Sequence, residues 1–267
     1  MLLKLIGIIL IVIGIAGLFL PILQGMLLIT IGALLLFNDR IAEIRKFLPE
    51  KMPPSFAGLY DKLCAKMLLP CYAMLADEIA PVCPGIILDI GTGSGILPLE
   101  IINRSPQVKI MGIDLSDKMI DIAKKRLTNH ESRITNSGNI EFLVMDAKAL
   151  AFPDNSFDMI ISTGSLHHWK EPVRVLNEMH RCLKPGATAW IYDGYADASN
   201  ADIEKAVRKL FWIFPTPGTV RYALHIHGYT RKEYETTVAD IVARSAFKTR
   251  SFEQRGIMMR VELKKAA

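Results

Sequence analysis

The order of apolar and polar positions divides the chain into two regimes. Leu5 to Phe37 is an unbroken run of uncharged residues, punctuated by Pro21 and Gln24-Gly25. As one straight helix it would be about 50 Å long, well beyond the roughly 30 Å hydrocarbon core of a bilayer. The punctuation favours two halves, Leu5–Leu20 and Ile22–Phe37, each about 24 Å long as a helix. Ile11-Val12-Ile13-Gly14 in the first is echoed by Ile29-Thr30-Ile31-Gly32 in the second. A transmembrane helical hairpin over residues 1–37 is the expectation, with a single tilted span as the alternative. A cleaved leader fits less well, because the apolar run continues past Pro21. In a hairpin, Lys4 and the Arg40, Arg45, Lys46, Lys51 cluster share one side, which the positive-inside preference makes cytoplasmic.

The polar regime opens with residues 38–54. Ile41, Ile44, Phe47 and Leu48 recur at helical spacing, and Pro49 and Pro53-Pro54 then end the pattern, so a juxtamembrane helix and a proline-rich linker are expected. Residues 55–267 alternate helical and strand patterns. Helices are predicted over 60–79 with a break at Pro70, and over 97–103, 116–127, 172–183, 201–214 and 231–245. Strands are predicted over 86–90, 108–115, 140–145, 157–162, 187–193, 247–253 and 257–263. The apolar strands are nearly continuous, which implies a doubly wound α/β fold whose mostly parallel, seven-stranded sheet is covered on both faces. Ligands of such sheets bind at the carboxyl ends of the strands.

Composition narrows the classes. The chain is 51% hydrophobic and 22% charged, yet Lys4 is the lone charged residue within 1–37. This excludes a disordered chain, a collagen-like repeat and a polytopic transporter. Cys64, Cys71, Cys83 and Cys182 contain no C-x-x-C pair, so neither a zinc ribbon nor a thioredoxin-type site is indicated. The net charge of +5 is concentrated after residue 200, as a basic solvated surface or one drawn to anionic lipid. With no dense Lys/Arg run, nucleic acid is not expected as a partner.

The first domain strand runs into Asp89-Ile90-Gly91-Thr92-Gly93-Ser94-Gly95. Glycines here let the backbone turn sharply and approach a ligand. A dinucleotide fingerprint would need Gly or Ala where Ile96 stands, and a Walker A loop would need Gly-Lys-Ser/Thr. Phosphate cradling is therefore disfavoured. Asp114, at the end of the second strand, can accept from both hydroxyls of a ribose or else cap the next helix. Asp146, after the third, can accept from an adenine amino group or lie solvated in its loop.

With these motifs in order, the chain resembles the class I S-adenosylmethionine-dependent methyltransferases, particularly the branch with the ubiquinone/menaquinone methyltransferases. The likeness covers residues 57–193. It is carried by 88–95, Gly112-Ile113-Asp114-Leu115-Ser116, Met145-Asp146-Ala147, Pro153-Asp154-Asn155-Ser156-Phe157-Asp158 and Leu183-Lys184-Pro185-Gly186. It implies a Rossmann-like fold ending in an antiparallel hairpin. It also implies S-adenosylmethionine as cofactor, with Asp89 and the Gly91, Thr92, Gly93, Gly95 loop at the methionine part, Asp114 at the ribose, and Asp146 with Ala147 at the adenine. Leu115 and Ser162 complete the expected cofactor set.

Leu166-His167-His168-Trp169 follows the fourth strand, beside the expected methyl group. His167 or His168 is a candidate to orient or deprotonate an acceptor hydroxyl, or simply to line the pocket. His225 and His227 form an H-x-H pair with no third ligand visible, so no metal is expected. Phe211, Trp212, Ile213 and Phe214 read as core, a pocket cover or a bilayer contact. The function read from the sequence is methyl transfer to a small, lipophilic acceptor at the membrane. The rivals are a nicotinamide-dependent oxidoreductase, which Ile96 disfavours, and a non-catalytic membrane-tethered nucleoside-binding module.

Overall fold

The computed structural model describes residues 48–62, 68–82, 85–130, 139–209 and 217–267, together with Lys4 and Arg45. The chain divides into two compact units, Met1–Leu48 and Pro49–Ala267. Apart from Lys4, the hairpin expected over 1–37 lies outside the described residues, as do Phe211–Phe214. No helix among the described residues is long and apolar enough to cross a membrane.

In the second unit the strands are β1 (Ile86–Ile90), β2 (Lys109–Asp114), β3 (Ile140–Val144), β4 (Phe157–Thr163), β5 (Leu183–Tyr195), β6 (Gly228–Tyr229), β7 (Thr249–Arg255) and β8 (Met258–Lys264). They form one sheet in the order β3-β2-β1-β4-β5-β8-β7, with β6 paired to β5 off this path. The pairings among β1 to β5 are parallel, and β8 is antiparallel to both β5 and β7. The sheet thus has one strand more than the seven expected. The extra one, β6, is two residues long, too short to leave a periodic signature.

Proline marks several helix starts, as its fixed φ and missing N–H allow. It lies in the first turn of α1 (Pro54–Tyr60), α2 (Leu69–Ile79) and α5 (Pro172–Cys182). Pro53-Pro54 therefore opens a helix where a linker was expected. Pro185-Gly186, expected to stop a helix, lies inside β5. There the β4–β5 register skips from Phe157↔Leu183 to Met159↔Thr188, an irregularity that absorbs both residues. The remaining helices are α3 (Ile96–Arg104), α4 (Asp117–His130), α6 (Asn200–Lys209), α7 (Pro217–His227), α8 (Arg231–Glu233) and α9 (Ala239–Ala243), with a π-helical turn at Tyr234–Val238. Thr230 starts α8 with a reciprocal cap. Its hydroxyl accepts from the Glu233 N–H at 3.2 Å, and the Glu233 carboxylate accepts from the Thr230 N–H at 2.8 Å.

Alternation along the strands builds a core on each face of the sheet. Leu88 and Ile90 of β1 join Ala189 and Ile191 of β5 beneath α5, which presents Val175, Leu176 and Met179. Ile87, Trp190 and Tyr192 point the other way, toward Leu75 and Ile79 of α2, Leu97 and Ile101 of α3, and Ile120 of α4. Phe142 of β3 fills the space under the glycine loop. A Cβ on Gly95 or Gly112 would come within 2.6 or 2.7 Å of its ring. Phe142→Ala is expected to cost about 3–5 kcal/mol, read as a lower denaturant midpoint at unchanged slope. A loss below about 1 kcal/mol would show that the site collapses around the missing ring.

Candidate active site

β1, β2, β4 and β5 deliver four polar segments to one end of the sheet. The loop after β1 is stapled to β2, with the Gly91 and Thr92 N–H groups donating to the Ile113 carbonyl at 2.8 and 2.9 Å. Gly91, Gly93 and Gly95 have φ of +73°, +56° and +74°, a conformation L side chains rarely adopt. A Cβ on Gly91 would also lie 2.1 Å from the Ser165 Oγ, so the loop after β4 closes directly on the glycine loop. The Asp114 carboxylate accepts from the Gly93 N–H at 3.0 Å and the Ser116 N–H at 2.8 Å. This holds the loop in register with β2. Ionised carboxylate oxygens carry about four acceptor positions, so two remain for a ligand.

Asp89 is 2% exposed. Burial pushes its carboxyl up to about 7; the Thr92 hydroxyl pulls it back, and the Asp114 charge raises it further. Asp114 is itself raised by burial, against the two N–H groups it accepts from. Tyr72 of α2 is raised by burial and then by the nearby Tyr60 and Asp89, which places α1 and α2 over this end of β1. The result is a strand-end surface with two partly desolvated carboxyls, an acceptor set suited to a cationic ligand group.

The other predicted positions separate into rim and interior. Asp146 lies half-buried after β3, accepting from the Lys148 N–H at 2.9 Å. Its second oxygen is 3.6 Å from Lys148 Nζ, which also meets Glu50 at 3.2 Å. Glu50 accepts from the Lys170 N–H as well, and the Met52 carbonyl accepts from the Ser116 hydroxyl. Residues 50–52, expected as linker, are thus tied to the rim of the site. Leu115 and Ala147 lie half-buried at the ends of β2 and β3. Ser162 does not reach the pocket. It is fully buried and donates to the Ile90 carbonyl at 2.8 Å, tying β4 to β1.

The histidines after β4 are organised by a residue the sequence reading missed. Asp193, near the end of β5, is 1% exposed. It accepts from the His167 backbone N–H at 3.0 Å, from the Gly194 N–H at 2.8 Å, and lies 2.8 Å from His167 Nδ1. The carboxylate fixes the proton on Nδ1 and leaves Nε2 as the acceptor. Asp193 carries the same signal as Asp114, a carboxylate at a strand's carboxyl end, and the rule that found Asp114 would have found it. His227, from the end of α7, brings its Nδ1 to 3.1 Å from His167 Nε2. The ring of His168 is 4.1 Å from that of His167. Burial, then the His167 and His227 charges, push His168 down to about 3, so it stays neutral. His225, the other half of the H-x-H pair, is not part of this cluster.

Residues 88–191 match the family described as a methyltransferase domain. This is an S-adenosylmethionine-dependent methyltransferase domain. The chain is 29% identical over 144 residues to the ubiquinone/menaquinone biosynthesis C-methyltransferase UbiE of Hydrogenovibrio crunogenus, covering 52% of this chain and 55% of that one. The match therefore spans little more than half the length of that relative. Among solved structures, a methyltransferase from Aquifex aeolicus matches with a TM-score of 0.58 at 21% identity, over 80% of this chain and 99% of that one. An O-methyltransferase of neocarzinostatin biosynthesis, in complex with S-adenosyl-L-homocysteine and 1,4-dihydroxy-2-naphthoic acid, matches with a TM-score of 0.58 at 17% identity, over 80% and 59%. These likenesses show the fold.

The residues fit the cofactor on their own chemistry. S-Adenosylmethionine carries an ammonium and a sulfonium, and the buried carboxyl of Asp89 lies beside the Thr92 hydroxyl in a loop whose three glycines leave its backbone open to a ligand. Asp89, Gly91, Thr92 and Gly93 would hold its amino-acid end, and Asp114 the ribose.

Proposed function

We propose that this methyltransferase moves a methyl group from S-adenosylmethionine to a small, lipophilic acceptor bearing an ionisable hydroxyl, at a membrane to which residues 1–37 attach it. The observation that carries the reading is the buried Asp193–His167 pair on the strand ends beside the glycine loop. S-Adenosylmethionine supplies an electrophilic methyl group on sulfur. The acceptor's hydroxyl proton passes to His167 Nε2, the nitrogen that Asp193 leaves unprotonated and that in this structure faces His227 Nδ1 at 3.1 Å. Asp193 stabilises the charged imidazole, and His227, exposed and 3.1 Å away, offers the proton a path to solvent. Ionising the hydroxyl places negative charge on the acceptor, on oxygen or on a conjugated ring carbon. That atom would bond to the methyl carbon as the carbon–sulfur bond breaks, with S-adenosylhomocysteine leaving and a ring carbon then giving up its proton.

The acceptor class is supported by two relatives, one named for quinone biosynthesis and one holding a dihydroxynaphthoate. The membrane location is supported by the uncharged run from Leu5 to Phe37, and a cytoplasmic catalytic domain by the basic residues flanking it. The test uses the full chain with methyl-labelled cofactor and a total lipid extract beside an aqueous metabolite extract. Label in a solvent-extractable phenolic product is expected. Label confined to water-soluble products would overturn the lipophilic acceptor, and binding of a nicotinamide nucleotide in place of S-adenosylmethionine would overturn the activity.

A further inference from the structure

Three imidazoles converge on one point. His167 arrives from the turn after β4, His168 follows it, and His227 comes from the end of α7, and the atoms they can offer a ligand all lie within 4.8 Å of one another. Nitrogens bound to one tetrahedral zinc at about 2.0–2.1 Å are about 3.3 Å apart. His167 Nε2 and His227 Nδ1 are already at 3.1 Å.

The surroundings of each ring favour ligation over a chain of hydrogen bonds. A ligating histidine typically gives its other N–H to a carboxylate or a backbone carbonyl, which fixes the tautomer and the ring plane. His167 has Asp193 on Nδ1. His168 has the Pro49 carbonyl as a backbone partner, while its Nδ1 is buried with no hydrogen-bond partner. Two of the three rings therefore have one nitrogen anchored and the other turned toward the cluster. His227 lies at the carboxyl end of α7, where the helix dipole favours a cation.

The backbone enforces the approach. β6 pairs with β5 through Gly194↔Gly228, and a Cβ on Gly228 would lie 2.5 Å from the Gly194 carbonyl oxygen. Glycine at both positions lets the end of α7 close on Asp193, which carries His227 to His167.

We infer that His167, His168 and His227 form a binding site for one divalent first-row transition-metal ion, with Asp193 orienting the first of them. An all-nitrogen donor set suits zinc, iron(II) or cobalt(II), and disfavours magnesium and calcium. Three protein ligands leave an open position, as in catalytic rather than structural sites. The use of that position rests on the methyl-transfer reading. An acceptor hydroxyl bound there would have its acidity raised by the ion, its proton passing to solvent, and His167 would then serve as a ligand and not as the base.

The test titrates full-length, chelator-stripped protein with Zn²⁺ by calorimetry and with Co²⁺ by visible absorption. One ion per chain and ligand-field bands typical of low-coordinate cobalt are expected. His227→Ala and His168→Ala should each weaken binding at least about tenfold, and Asp193→Asn about 10–100-fold. His227 is exposed, so its variant is expected to keep the wild-type circular dichroism and melting temperature. Absence of saturable one-to-one binding, or equal affinity in folded His227→Ala protein, would overturn the site. S-Adenosylmethionine binding is measured separately on the stripped protein. If the cofactor binds and is turned over while no ion binds, the metal site falls and methyl transfer stands. If an ion binds and the cofactor does not, the site stands and methyl transfer falls.

Discussion

Replacing His167 with Ala should lower the methyl-transfer rate by about 10²–10⁴-fold while leaving affinity for S-adenosylmethionine within a few fold of wild type. The reason is positional. Asp193 holds the Nδ1 side of the ring, which leaves Nε2, 3.1 Å from His227 Nδ1, as the nitrogen that can take a proton. His168 is buried and stays neutral, and His227 is exposed. Asp193→Asn tests the same arrangement from behind, since an amide can favour the wrong tautomer, and it should cost about as much in rate. Single-turnover measurements with bound cofactor separate the chemical step from binding. A His167→Ala enzyme with wild-type single-turnover rate would show that alignment alone drives the reaction.

The second large effect concerns Asp89. Its carboxyl titrates near 7 because burial disfavours the charge, with Thr92 opposing and Asp114 adding to the rise. A cationic ligand group needs the carboxylate, so binding below pH 7 must expel a proton. S-Adenosylmethionine should therefore bind about tenfold more weakly for each pH unit between 7 and 5, and the dependence should flatten above 7. The ligand-free protein shows the opposite trend. An acid raised from 3.8 in the folded state holds its proton more tightly than in the unfolded chain, so stability falls as pH climbs from about 4 to about 7. The span is roughly 4 kcal/mol, as an upper figure. Asp89→Asn removes the first trend and Asp89's share of the second, leaving that of Asp114. Affinity that does not change between pH 5 and 7 in the native protein would take Asp89 out of the binding site.

The parts of this architecture that are local in sequence were legible in it. β1, the glycine loop and Asp114 lie within one strand–loop–helix–strand stretch, and the patterns there predict the observed elements to within a residue or two. Gly91 and Asp114 are where a left-handed turn and a strand-end carboxylate were expected. The histidine cluster was not legible, because its members are brought together by pairing across the sheet. His167 and His227 are 60 positions apart, and the contact that joins them passes through β6, whose two residues have no period to read. α7 was missed for a related reason. Its Pro217-Gly218 start and mixed polarity lack the one-sided stripe that marks α5. Ser162 was misplaced because a polar residue at a strand end resembles a ligand whether its hydroxyl faces the pocket or, as here, the neighbouring carbonyl.

The position of β8 constrains how the molecule is made. Met258–Lys264 follows β7 in sequence, yet it fills the gap between β5 and β7. Lys265 then reaches back to the His180 and Leu183 carbonyls and to Asn155. During synthesis the strand carrying Asp193 therefore keeps one flank uncovered until β8 has emerged and inserted beside it. Such a flank is a template for pairing with other nascent chains. A chain cut before Met258 would leave the parallel half assembled and that flank of β5 open, a species destined for chaperones or proteolysis.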